Sequence, residues 1–397
     1  MSEKRRDSRN RILRSGESQR KDGRYAYKYT DTFGKVQFVY AWKLVPTDKT
    51  PAGKRDDISL RGKEKEIQKD LADGIDTIGK KMTVCELYAK QNRHRGNVRY
   101  NTTKGRERLM KLLESDKLGA CPIDSVKPSD AKEWALRMKE RGISYKTISN
   151  DKRSLKAAFY TAIQDDCIRK NPFDFQLNTV IEDDTEPKVP LTPEQEESLL
   201  SFMQSDTVYQ KYYDDFVVLL GTGLRISELC GLTDADLDFD NRIINVDHQL
   251  LRSAETGYYI EKPKTQSGCR QIPMSEKVQE ALRRVLKNRR RAKLTDIDGY
   301  SSFLFLNRNG CPRTATNYDG IFRGLVKKYN KCHEEALPKV MTPHTLRHTF
   351  CTNLANAGMN PKALQYIMGH SNITMTLNYY AHATFASAKA EMERLAA

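Results

Sequence analysis

One stretch excludes a single continuous core. Glu182-Asp183-Asp184-Thr185-Glu186-Pro187 is acidic, nearly free of apolar residues, and followed by a second proline at Pro190. Such a segment has little to bury and two breaks in its backbone donors, so residues 179–190 read as an interdomain linker. The chain before it and the chain after it must each build a core of their own. For 397 residues, two or three domains are expected.

The charge is distributed just as unevenly. The chain carries 68 Lys and Arg against 52 Asp and Glu, a net of +16. Residues 1–55 alone hold fifteen of the cations and six of the acids, a net of +9. This excess points to a polyanion, and nucleic acid is the commonest one. No apolar run approaches the roughly 20 residues needed to span a bilayer. MSEKRRDSRNR is followed by no apolar stretch, unlike a secretory leader, so a cytoplasmic address is expected. The first residues, dense in like charge, are expected to form a disordered arm. The eight Cys are scattered without a CxxC pair, which argues for free thiols over a zinc site or disulfides.

Arg24–Tyr29 and Val36–Leu44 alternate with period two around a turn containing Gly34, the pattern of a β-hairpin. Ile12-Leu13-Arg14 is the candidate third strand. On alternation, Tyr25, Tyr27 and Tyr29 share one face of their strand, and Phe38, Tyr40 and Trp42 share a face of theirs. Most of these aromatics suit the core of a small domain. A ribbon this basic also suits a DNA groove. Arg20, Lys21, Arg24, Lys28 and Lys54, with Tyr40 and Trp42, are then the candidate contacts, against the plainer reading of a solvated face. Residues 46–57 read as loop and 58–72 as a short polar helix ended by Asp73-Gly74. The domain runs over 1–75.

Residues 82–178 read as an all-α module of four or five helices. Thr83 with Glu86 forms a capping box. Leu87, Met110, Leu113, Trp134, Leu136, Met138, Leu155 and Phe159 recur at helical spacing. Ser144–Asn150 reads as a helix start suited to a phosphate, with Lys146, Lys152 and Arg153 close behind.

Four stretches in residues 191–397 carry candidate chemistry. Gly221-Thr222-Gly223-Leu224-Arg225-Ile226-Ser227-Glu228-Leu229 is, alone, no more than a helix cap before a new helix. Glu261–Pro273 reads as two extended pieces around a polar turn, a hairpin whose tip carries Lys264, with Lys262 as its alternate. Thr342-Pro343 makes an N-cap and N1 pair that places His344 and Arg347 on one helical face, at the end that favours anions. Zinc is the competing use of His344 and His348, but HExxH is absent and no third ligand is evident, so no metal is expected. Gly369-His370-Ser371 precedes Tyr379-Tyr380, with Tyr379 nine residues after His370. Asp234, Asp236, Asp238 and Asp240 alternate like a metal loop but lack its glycine and distal glutamate; a turn is the better reading.

These stretches, in this order, resemble the catalytic domain of the tyrosine recombinase (phage-type integrase) family. The helical module resembles its core-binding domain, and the basic hairpin resembles the arm-binding domain of conjugative-transposon integrases. The resemblance implies a multidomain α+β fold: a small N-terminal β-sheet domain, an all-α domain, and a mainly α catalytic domain with a small β-sheet. It implies Arg225 and Arg347 on the scissile phosphate, Lys264 as proton donor to the leaving hydroxyl, and His344 in acid–base work. It assigns His370 to a second phosphate contact and Tyr379 to the nucleophile, with Tyr380 one register away. It further implies double-stranded DNA with core-type and arm-type sites, a homodimer or homotetramer on that DNA, and an excisionase and a DNA-bending protein as accessory partners. The C-terminal stretch Ala383–Ala397 reads as an amphipathic helix that packs on its own domain or, as the resemblance implies, docks on a neighbouring subunit. A chromosome-dimer resolvase, a type IB topoisomerase and a regulator without chemistry are the competing readings. The N-terminal hairpin weighs against the first and the complete residue set against the last.

The residue types suit the task. Two guanidiniums offer fixed forks of donors to the crowded, anionic transition state of phosphoryl transfer. A tyrosine, with a free pKa of roughly 10, needs a base or nearby positive charge before it attacks. A covalent phosphotyrosine conserves the energy of the broken bond, so neither a nucleotide motif nor a cofactor is called for. Lysine cannot reproduce the fork. Arg225→Lys should therefore impair cleavage while leaving DNA binding largely intact; equal losses in gel-shift and cleavage assays would sink the assignment.

Overall fold

The computed structural model describes residues 5–77, 79–96, 98–186, 189–263, 265–289, 296–380 and 392–393. They form two compact units that meet in sequence between Glu186 and Pro187. Ile181, within residues 179–190, is buried with the apolar core of the first unit.

The first unit opens with an antiparallel sheet, β1 (Glu17–Gln19), β2 (Tyr25–Thr30) and β3 (Val36–Ala41), with β2 central. Tyr25 and Tyr27 point into the core with Ala41, and Tyr29 packs beside them. Lys28, Phe38 and Tyr40 are exposed on the opposite face. The third strand is Glu17–Gln19, not Ile12-Leu13-Arg14. Residues 5–14 are not a disordered arm. Asp7 is buried and accepts hydrogen bonds from the Arg9 and Arg11 amides, the Arg11 side chain and the Tyr25 hydroxyl. Paired charge, invisible to a count of like charges, orders this segment. α1 (Leu60–Ala72), capped by Ser59, closes the sheet's inner face.

Four helices follow: α2 (Val84–His94), α3 (Tyr100–Glu114), α4 (Pro128–Glu140) and α5 (Tyr145–Gln164). Thr83 and Glu86 form the reciprocal cap expected of them. The core centres on Trp134, Phe159 and Phe173. Leu136, expected inside, is 43% exposed, because it lies off the face that carries Ala131, Trp134, Ala135 and Met138.

The second unit begins with α6 (Pro193–Ser205), α7 (Tyr213–Thr222) and α8 (Ile226–Gly231). Five strands come next: β4 (Leu237–Asp238), β5 (Ile243–Val246), β6 (Gln249–Ser253), β7 (Gly257–Glu261) and β8 (Arg270–Pro273). α9 (Glu276–Lys287), the short pair β9 (Asp296–Ile297) and β10 (Tyr300–Ser301), and α10 (Ala315–Cys332) lead to α11 (Pro343–Asn356), α12 (Pro361–Met368) and α13 (Thr374–Leu377). α7 is apolar on nearly every side and is packed against α9 and α11. The stretch 261–273 is not a hairpin. β7 pairs with β6, whereas β8 pairs with β5 in the sheet β4-β5-β8. Pro263 offers no amide to a ladder, and the chain crosses from one sheet to the other through a short 3₁₀ turn at Gln266–Gly268.

Gly223 ends α7 in the left-handed conformation, φ 61°. A Cβ there would run into the Phe350 ring. Gly223→Ala combines left-handed strain with overpacking and should cost about 2–5 kcal/mol. Urea unfolding of the full chain measures this, and an unchanged midpoint would refute the account.

Candidate active site

The site is assembled at the ends of helices. Gly223 turns the chain out of α7, and Arg225 becomes the N-cap of α8. This puts Glu228, three residues on, back against the cap. Its carboxylate accepts the Arg225 amide at 2.9 Å and the Arg225 guanidinium at 2.7 Å. The other end of the Arg225 fork donates to the Gly369 carbonyl at 3.0 Å. Arg270, at the start of β8, holds Glu228 from its buried side at 2.9 and 3.1 Å. Burial alone would raise the Glu228 carboxyl, but Arg270, with Arg225 and Arg347, overcomes this and holds it at about 2.

Thr342 and Pro343 open α11 as expected. Arg347 on its next turn is buried and donates to the Gly223 carbonyl at 2.6 Å and to the Met368 carbonyl. Burial and the Arg225 charge push it down to about 9. Two guanidiniums that disfavour one another in a water-poor setting favour an anion between them. His344, on the first turn of the same helix, is exposed.

Gly369 caps α12 in the left-handed conformation, φ 61°, with its Cβ position 3.0 Å from the Ser267 carbonyl and 3.2 Å from Arg270 Cδ. A side chain there would push the loop off its support. His370 follows, buried, its Nδ1 3.0 Å from the Thr376 hydroxyl. That contact fixes the ring while leaving Nε2 as its second functional atom. Burial, then Arg347, Arg225 and Arg270, pull His370 down to about 4.

Tyr379 lies half-buried after α13, its ring centre 4.7 Å from that of His348. Burial raises its hydroxyl pKa, as does Cys351, against the opposing charge of Arg347. Among the described residues the Tyr379 hydroxyl has no hydrogen-bond partner. The Tyr380 hydroxyl is committed to the Met359 carbonyl at 2.5 Å. The structure therefore gathers Arg225, Arg347, His370 and Tyr379 into one electrostatic neighbourhood. Lys264 and most of Ala383–Ala397 lie outside the described residues. Sequence reasoning passed over Glu228, Arg270 and His348 as members of the site. Glu228, three residues after Arg225, stood where a capping partner of that residue stands, whereas nothing local marked Arg270, and His348 was weighed only for zinc.

Asp236, Asp247 and His248 bring three potential metal-ligand atoms together. Both His248 nitrogens are already engaged, at 2.6 Å from the Asp247 carboxylate and 2.7 Å from the Gly231 carbonyl. All eight cysteines are free thiols.

In the first unit, the Arg20 and Arg24 guanidiniums lie 5.2 and 5.5 Å from the Tyr40 ring centre. Arg24 and Lys54 lie 5.8 and 5.2 Å from the Trp42 ring. Lys21 and Lys28 are exposed in the same domain. Lys146 and Arg153 are exposed on α5, while Lys152 lies 4.5 Å over the Phe175 ring, and burial lowers its pKa.

Residues 190–387 match the phage integrase family, and residues 1–71 match the DNA binding domain of tn916 integrase. The transposase from transposon Tn916 of Enterococcus faecalis is 67% identical over 395 residues, spanning 100% of this chain and 97% of the relative. The chain belongs to the phage integrase family. Like other members of that family, it is a tyrosine recombinase. The Tn1549 transposon integrase, residues 82–397 carrying R225K, has been solved in complex with a circular intermediate DNA. It is 75% identical, covers 79% of this chain and 99% of that one, and superimposes with a TM-score of 0.77. The same integrase carrying Y379F, in complex with transposon right end DNA, is 76% identical, covers 80% of this chain and 100% of that one, and has a TM-score of 0.76. Among the described residues no helix is long and apolar enough to cross a membrane.

The His370 environment yields a titration. Its imidazole should stay neutral down to about pH 4 in the DNA-free recombinase, against a usual value of about 6.5. The unfolded chain then binds the extra proton between those values, so this group's contribution to stability is complete above pH 6.5 and declines as pH falls towards 4. Histidine-labelled NMR measures the midpoint; a value near 6.5 would overturn this placement of the ring.

Proposed function

We infer that this recombinase integrates and excises a mobile element, a conjugative transposon, by cutting and rejoining double-stranded DNA at the element's ends. The observation that carries the reading is the network of Arg225 with the buried Arg347 and His370, with Tyr379 within range of the Arg347 charge and its hydroxyl without a hydrogen-bond partner among the described residues. The relatives support it. The Tn1549 transposon integrase, which is similar to this chain, was solved on circular intermediate and transposon right end DNA, and its substitutions, R225K and Y379F, carry the numbers of Arg225 and Tyr379 here.

In the reaction, the scissile phosphate sits between Arg225 and Arg347, whose forks take the nonbridging oxygens. His370 Nε2 adds a third contact from the same side. The Tyr379 oxygen attacks phosphorus, and its proton passes to His344 or to solvent on the exposed side of α11. The bond to the 5′ oxygen breaks, and that oxygen takes a proton from Lys264. The products are a 3′-phosphotyrosine and a free 5′ hydroxyl. A 5′ hydroxyl from a partner strand then reverses each step, regenerating Tyr379 and forming a Holliday junction. No ATP, metal or cofactor enters the scheme.

The N-terminal sheet, with Arg20, Lys21, Arg24, Lys28, Tyr40, Trp42 and Lys54, binds arm-type sites. Lys146, Lys152 and Arg153 on the helical module meet the core site. The enzyme works in the cytoplasm as a dimer or tetramer on DNA, with an excisionase and a DNA-bending protein as candidate accessory partners.

A nicked suicide duplex of the element's own end traps the covalent intermediate. Tyr379→Phe should abolish the 3′ adduct, a loss of more than about a thousandfold, while Tyr380→Phe retains it. Adduct formation that survives Tyr379→Phe would defeat the assignment.

A further inference from the structure

A guanidinium outside the predicted set lies at the centre of this site. Arg270 opens β8, and its side chain has no exposed surface. Its Nε donates to the Ile367 carbonyl at 2.5 Å. One terminal nitrogen donates to Glu228 Oε1 and to the Gly268 carbonyl, each at 3.1 Å, and the other to Glu228 Oε2 at 2.9 Å. It thus ties together the turn that follows Lys264, the helix that begins at Arg225 and the end of the helix that precedes His370.

Burying a guanidinium is costly, and an apolar pair of similar volume often stabilises a fold as well or better. Packing alone does not explain its presence. The decisive feature is that Glu228 is shared. Oε1 faces both Arg225, at 2.7 Å, and Arg270, at 3.1 Å. Without Arg270, the one hydrogen-bonded cation left to this buried carboxylate among the described residues would be Arg225, with Arg347 acting only from farther off. The two would form a closed pair, and the positive charge facing the substrate would be largely cancelled. With Arg270 in place, Glu228 is neutralised from its buried side, and the Arg225 side chain remains one-third exposed. Arg270 also supports the His370 loop directly, since its Cδ and a terminal nitrogen lie 3.2 Å from the Cβ position of Gly369.

We propose that Arg270 is a positioning residue for strand cleavage, which neutralises Glu228 and so keeps the charge and fork of Arg225 available to the scissile phosphate. This rests on the assignment of Arg225 to that phosphate. The role is electrostatic and acts through Arg225, so it differs from a contact with DNA and from a contribution to folding alone.

The test uses the full chain and two suicide duplexes of the element's end. One carries the ordinary phosphodiester, the other a methylphosphonate at the mapped scissile position, which removes one negative charge and with it much of the need for a cation. Arg270→Met should slow adduct formation on ordinary DNA by about a hundredfold, with DNA affinity changed less than about threefold. The methylphosphonate should bring it back to within about tenfold of the unsubstituted enzyme on the same DNA. Arg270→Met/Glu228→Gln, which removes both charges together, should recover at least about tenfold over Arg270→Met on ordinary DNA. Should Arg270→Met not fold, judged by thermal unfolding, Arg270→Gln replaces it, keeping donors for the backbone carbonyls without the charge. Arg225→Ala is the control. If the methylphosphonate fails to restore Arg225→Ala, the phosphate assignment itself falls. If it restores Arg225→Ala but not the Arg270 variant, or if a folded Arg270 variant cleaves ordinary DNA at full rate, the proposal is overturned.

Discussion

The buried carboxylate of Glu228 is the interaction on which the catalytic unit depends. It accepts the Arg225 amide, the Arg225 guanidinium and both terminal nitrogens of Arg270. Left alone in this setting its pKa would be raised, because burial penalises its charge. The surrounding cations reverse that and keep it ionised. Breaking such a buried pair by removing one member typically costs about 3–5 kcal/mol. Segments far apart in sequence are thereby tied together: the end of α7, the crossover before β8, and the loop after α12. Arg347 closes the same structure from the other side by donating to the carbonyls of Gly223 and Met368.

The consequence for chemistry is preorganisation. The guanidiniums are held by backbone carbonyls and one carboxylate, so little rearrangement is needed when a phosphate arrives. Burial first, and then the charge of the neighbouring guanidiniums, depresses His370 and Arg347, so the assembled positive charge is unfavourable without an anion. Binding phosphate relieves that repulsion. Tyr379 enters this field with its hydroxyl unspent, near enough to Arg347 for the charge to oppose the effect of its burial.

The N-terminal sheet solves a different problem with similar means. Three short strands and one helix bury only a handful of apolar residues. Ion pairs support them: Asp7 and Asp48 both hold Arg11, and the fully buried Glu17 side chain holds Arg61 at 2.9 Å. One face of the sheet is spent on the core. The other is left to Lys28, Phe38 and Tyr40, with Arg20 and Arg24 over the Tyr40 ring. A sheet this small cannot cover both faces, and the uncovered one is basic and aromatic, as a groove-binding surface requires.

Local pattern determined much of this protein. The Thr83, Thr342 and Ser144 helix starts, the Asp73-Gly74 stop and the β2–β3 hairpin all depend on residues within a few positions of one another. Their physics, capping and alternation, is written at that range. What the sequence could not decide was every feature set by partners far away in the chain. Residues 5–14 are ordered because Asp7 meets Tyr25. β8 joins β5 rather than β7. Arg270 reaches Glu228, 42 residues earlier, and Ile367, 97 residues later. The one-residue ambiguity between Tyr379 and Tyr380 belongs to the same class. Spacing from His370 favours Tyr379, but what surrounds each hydroxyl is a tertiary matter: the fold brings the Met359 carbonyl to that of Tyr380 and the charge of Arg347 to bear on that of Tyr379.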